Sequence, residues 1–193
     1  MSLPERSQDG NPSDEFLMER LKEGDSSMLE PLVRRYERPL FAYACRVLRD
    51  RERAQDVFQE TFVRVFRRRE TFREGARFRP WLYQICLNLC RDALRKQSRQ
   101  SETELKDELP LPDTRPGPEE YSQRKALAEQ VRAAIMGLPD KHREVLLLVQ
   151  YQGLSYPEIA DMLDIPVGTV KSRVFHAYKK LASELKGLEE PAR

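Results

Sequence analysis

The stretch LSYPEIADMLDIPVGTVKSRVFHAYKKL, Leu154 to Leu181, reads as two helices set around a tight turn. Ser155 with Glu158 makes the S-x-x-E pattern of a capping box, so a short helix starts there. Ile159 and Leu163 face inward, and Ala160 is small, as two closely crossing helices require. Asp164 to Gly168 forms the turn. The second helix puts Val170, Val174, Ala177, Tyr178 and Leu181 on one side. At 100° per residue the opposite side collects Ser172, Phe175, His176 and Lys179, with Thr169 and Lys171 at its margins. Arg173 lies at the flank, placed for a phosphate or a salt bridge. A helix-turn-helix presents such a polar, basic second helix to the major groove of DNA. Lys suits guanine, Ser either base type, and an apolar ring the thymine methyl. The bland alternative is a helical hairpin with a solvated basic face.

Working outward, the preceding segment supplies apolar support through Val145, Leu146, Leu147, Val149 and Tyr151. Further upstream the helical pattern stops. QSRQSETELKDELPLPDTRPGPEE, Gln97 to Glu120, is acidic, Pro-rich and poor in large apolar residues, the composition of a flexible linker. Before it, helical spacing returns. Ser13 caps a first helix carrying Phe16, Leu17 and Leu21. Asp25 starts a second through Leu29, Leu32, Tyr36, Leu40 and Tyr43, with a kink expected at Pro39. Asp50 caps a third, whose core stripe is Ala54, Phe58, Phe62 and Val65. Its other face shows Asp56, Glu60, Val63 and Arg67, with Gln59 at the edge. The expected fold is all-α: two small helical domains, 1–97 and 119–193, joined by a flexible linker over 98–118.

The fourth helix lies in RFRPWLYQICLNLCRDALRK, Arg77 to Lys96. Trp81, Leu82, Ile85, Leu89 and Ala93 form one stripe; Gln84, Asn88, Arg91 and Arg95 form another. The second stripe carries amide and guanidinium donors suited to bases and phosphates. Cys86 and Cys90 fall between them and read as core filler, because Cys45 and the two histidines give no zinc spacing. No metal or cofactor is expected.

Net charge is only +2 over 193 residues, so the arginines between Arg64 and Arg95 mark one polyanion-facing surface rather than a coat of charge. No apolar run is long enough to span a bilayer, and the start lacks the apolar core of a secretory signal. A cytoplasmic protein is expected. No nucleophile–base pair, phosphate loop or metal cluster is visible, which argues against an enzyme and a small-molecule substrate.

Three motifs now stand in order: DVFQETF at Asp56–Phe62, FRPWLYQICLNL at Phe78–Leu89, and GLSYPEIADMLDIPVGTVKSR at Gly153–Arg173. Together they resemble the extracytoplasmic-function (ECF) group of bacterial RNA polymerase sigma factors, from about Asp14 to Leu185. The resemblance implies that Asp56, Gln59, Glu60 and Val63 dock on the clamp helices of the polymerase largest subunit. It implies that Phe72, Arg77, Arg79, Tyr83, Gln84, Asn88, Arg91 and Arg95 handle the melted −10 strand, with Asn88 at the position that reads a flipped base. The helix-turn-helix, through Thr169, Lys171, Ser172, Arg173, Phe175, His176 and Lys179, would bind the −35 element as duplex beside the polymerase flap. The linker would thread towards the RNA exit path. An anti-sigma factor would hold the protein inactive, in some cases at the membrane. Lys171 and His176 stand where family members often carry Arg. The rival reading is a conventional helix-turn-helix regulator that is not a polymerase subunit.

Overall fold

A computed structural model describes residues 11–100 and 118–186. Every element among these residues is helical. The chain divides into two compact units, Met1–Leu109 and Pro110–Arg193. The linker expected over 98–118 falls mostly at 101–117, outside the described residues; its ends are helical, because α4 runs to Gln100 and α5 begins at Pro118.

In the first unit, α1 (Asp14–Lys22) begins at Ser13, whose Oγ accepts the Phe16 N–H at 3.1 Å. Gly24, at φ +103°, permits the reversal after it. Asp25 caps a 3₁₀ turn, Ser26–Met28, rather than the second helix directly. That helix, α2 (Leu29–Leu48), continues through Pro39. Asp50 then caps α3 (Arg51–Arg67) by accepting the Arg53 N–H at 3.0 Å, and α4 spans Phe78–Gln100.

The inward face of α3 is rotated from the expected stripe. Ala54, Val57, Thr61, Phe62 and Val65 are buried, while Phe58 is only partly so. Thr61 can enter the core because its hydroxyl donates to the Val57 carbonyl at 2.6 Å, which leaves no buried donor unmet. In α4 the buried set is Phe78, Leu82, Tyr83, Ile85, Cys86, Leu87, Leu89 and Cys90. The cysteines are free and packed, as the filler reading required.

The second unit packs α5 (Pro118–Met136), α6 (Asp140–Gln152), α7 (Tyr156–Leu163) and α8 (Val167–Lys186). The capping box at Ser155 forms: its N–H donates to Glu158 Oε2 at 2.8 Å, and its Oγ accepts the Glu158 N–H. Asp164 ends α7 in the left-handed region, at φ +52°. Ile159, Ala160 and Met162 are buried, whereas Leu163 is only partly so. On α8 the inward residues are Val170, Val174, Ala177 and Leu181. Tyr178, expected among them, is instead exposed, and its hydroxyl accepts from the Gln150 amide. Arg143 is buried and ties the α5–α6 turn. Its guanidinium donates to the Met136 and Leu138 carbonyls, each at 3.2 Å, and to Asp140 at 2.7 Å. The Lys180 ammonium donates to Gly137 O at 2.7 Å and holds α8 against the same turn.

Candidate nucleic-acid interface

The start of α4 is fixed from several sides. Glu15 on α1 accepts the Phe78 N–H at 3.0 Å, satisfying a donor that the first helical turn leaves open. Lys22 donates to the Phe72 carbonyl at 2.9 Å. Beneath lies an aromatic cluster: Phe72 with Trp81 at 5.2 Å, Phe78 with Tyr36 at 5.7 Å, and Tyr43 with Tyr83 at 5.4 Å between centroids. Such edge and tilted pairs add to simple area burial. Tyr36 also donates its hydroxyl to Asp14, which pairs in turn with Arg35. Burial first, and then this bond to Asp14, push the Tyr36 phenol well above its ordinary range. Burial does the same for Tyr83.

This cluster corrects two expected contacts. Phe72 is 2% exposed and Tyr83 fully buried, so neither offers a ring to a nucleic acid. Their rings support α4 from below instead. The remaining residues of that set do reach the surface. Arg77, Arg79, Asn88 and Arg95 are exposed, and Gln84 and Arg91 are partly so. Asn88 makes no side-chain hydrogen bond among the described residues. Arg95 lies 3.6 Å from Asp92. The stripe Gln84, Asn88, Arg91 and Arg95 therefore occupies the solvent side of a helix whose other sides are packed.

On α3, Asp56, Gln59 and Val63 are exposed, and Glu60 is partly so, accepting from Arg64 Nε at 3.0 Å. Beside them runs an apolar groove of about 400 Å³. Leu29 and Val33 of α2 line one wall; Phe58, Phe62, Val63 and Phe66 line the other. Of the expected docking set, Gln59 and Val63 line this groove. The missed signal was the width of the apolar arc on α3: Phe58, Phe62, Val63 and Phe66 extend it well beyond one core-facing stripe.

On α8 the expected outward face is outward. Lys171, Ser172, Phe175, His176 and Lys179 are exposed, with Thr169 and Arg173 partly buried at its edge. Phe175 is 64% exposed, a large ring standing free among cations. The His176 ring lies 5.5 Å from Phe175 and 6.0 Å from His142 on α6. Burial first, then the charges of His176, Arg173 and Lys180, lower the His142 pKa.

Among the described residues, no group of three or more metal-ligating side chains is placed to hold a metal. None of their helices is long and apolar enough to cross a membrane.

The model of sigma-70 region 2 matches residues 32–100, and that of sigma-70 region 4 matches residues 128–181. The RNA polymerase sigma-H factor of Pseudomonas aeruginosa is 33% identical over 91% of this chain and 95% of its own length. The ECF RNA polymerase sigma-E factor of Salmonella typhimurium is 31% identical over 91% of this chain and 96% of its own. A solved structure of CnrH in complex with the cytosolic domain of CnrY superposes with a TM-score of 0.69 at 27% identity, covering 90% of this chain and 97% of CnrH. The region 2 match ends with α4 and its polar stripe, and the region 4 match takes in the whole turn between α7 and α8. With both regions in order and relatives matched almost end to end, the chain belongs to the ECF group of sigma-70-type RNA polymerase sigma factors.

Proposed function

We propose that this sigma factor reads its promoter at two points through the faces described above. The α8 face, with Lys171, Ser172, Phe175, His176 and Lys179, enters the major groove at the −35 element; Thr169 and Arg173 flank it. The α4 stripe of Gln84, Asn88, Arg91 and Arg95 captures the −10 strand once it is single-stranded, with Arg77 and Arg79 drawing the backbone in. Asp56, Gln59, Glu60 and Val63, together with the adjoining groove, take the clamp helices of the largest subunit. The observation that carries the reading is the free Phe175 ring in a cationic helix face. This ring is largely exposed, with the His176 ring against its edge, and suits a thymine methyl.

The energetic logic follows from the division into two units. Each unit alone makes few DNA contacts. Core polymerase fixes their spacing, so the second contact becomes intramolecular and effective concentration strengthens it. Base capture at −10 offsets an unstacking cost of a few kcal/mol per flipped base. The bond-forming chemistry belongs to the polymerase. An anti-sigma protein, membrane-held in one version of this scheme, would keep the factor from core until released.

The map is tested by footprinting the holoenzyme on promoters selected from genomic fragments. Phe175→Ala is expected to weaken protection at −35 by about tenfold, the scale of one base contact, while core binding persists. Protection equal to the parent's would remove α8 from the −35 contact.

A further inference from the structure

The chain contains two histidines, His142 and His176, and the fold brings them together. They come from different helices, α6 and α8. The ring planes are tilted by 30° with centroids 6.0 Å apart. Arg173 and Lys180 of α8 act on the same point. On α8, Glu184 lies 3.8 Å from Lys180 Nζ. On α6, Asp140 is engaged by Arg143. From the end of α5, the Gly137 carbonyl accepts from Lys180. Neither imidazole nor the Arg173 guanidinium has an acidic partner among the described residues. The fold therefore sets two imidazoles beside the Arg173 and Lys180 cations, an arrangement that an incoming anion would suit.

We infer that His142, on the helix ahead of the helix-turn-helix, joins His176, Arg173 and Lys180 to form a phosphate seat for the DNA backbone, and that −35 binding takes up a proton there. The inference rests on the α8 reading above. It extends the interface beyond the recognition helix to a second element. The ligand is a DNA phosphate because the seat is continuous with the Phe175 face through His176. The burial and positive neighbours that lower the His142 pKa keep its ring neutral in the free protein at neutral pH. A phosphate beside it favours the protonated ring, so binding consumes a proton and affinity rises as pH falls. Folding runs the other way. A folded-state pKa below the unfolded one makes the free unit less stable as pH falls through that titration. The two slopes have opposite signs and are separable.

The test uses the full chain bound to core polymerase and a promoter duplex that this holoenzyme selects from genomic fragments at about pH 7.5. Affinity is followed between about pH 8 and about pH 6 for the parent and for His142→Gln, each normalised to its own value at the alkaline end. The parent is expected to gain at most about tenfold per pH unit, the limit for one proton, and His142→Gln less than half that slope. Equal slopes overturn the inference. If the parent selects no duplex at all, the −35 reading itself fails, a separate result. If His142→Gln proves unfolded, the parent decides alone. At least one of its two histidine ring-proton NMR signals must titrate at higher pH with the duplex bound, and inorganic phosphate alone at about 10 mM must not reproduce the shift, as expected of a seat shaped for a backbone. An unchanged titration, or an equal shift with free phosphate, overturns it.

Discussion

Val63→Glu is expected to weaken binding to core RNA polymerase at least about a hundredfold, the scale of a central interface residue. Val63 is 40% exposed on α3, in the wall of the groove closed on its other side by Leu29 and Val33. Exposed Asp56 and Gln59 stand on the same helix. A partner helix laid there covers the groove. A carboxylate inside it must then lose its water without gaining a partner, which costs several kcal/mol. In the free protein that carboxylate stays hydrated, so folding changes little. Core binding is measured by competition against the parent chain, with thermal unfolding as a fold control. Val63→Ile should bind nearly as the parent does. If Val63→Glu folds and binds core normally, the polymerase docks elsewhere.

Asn88→Ala is expected to reduce open-complex formation by about thirty- to a hundredfold, because capture of one flipped base must offset a few kcal/mol of unstacking. The side chain is exposed and unbonded within the described residues, so removing it leaves no buried group unmet. Alanine also favours the helix more than asparagine does. Core binding and −35 protection should therefore persist while permanganate reactivity of −10 thymines falls. Loss of core binding to the same extent would mean that Asn88 is structural.

The helix-turn-helix was legible because its signals are local. The capping box, the small Ala160 and the outward cations of α8 lie within one short stretch and formed as read, while the turn is shorter than Asp164 to Gly168, because α8 begins at Val167 and takes Gly168 into the helix. The α4 stripe was legible for the same reason, since spacing along one helix assigns its sides. What failed was long-range. The resemblance implies that Phe72 and Tyr83 meet the melted strand, but Trp81 packs on Phe72, Tyr36 and Tyr43 of α2 pack on Tyr83, and both rings are buried. Thr61 enters the core because the Val57 carbonyl accepts from its hydroxyl, a pairing that apolar spacing does not register. Arg143 belongs to no apolar stripe, and its burial depends on carbonyls of the preceding turn. The groove is not visible along α3 alone, because Leu29 and Val33 of α2 form its second wall. His142 and His176 stand 34 residues apart, and only the packing of α6 on α8 shows that they meet.

The most direct test of the account is transcription itself. Core polymerase, the purified chain and a supercoiled library of genomic fragments are combined, and transcript 5′ ends are mapped. The account expects discrete starts that neither core nor the chain gives alone, preceded by a shared pair of spaced −35 and −10 elements. Transcripts no different from those of core polymerase alone would contradict it.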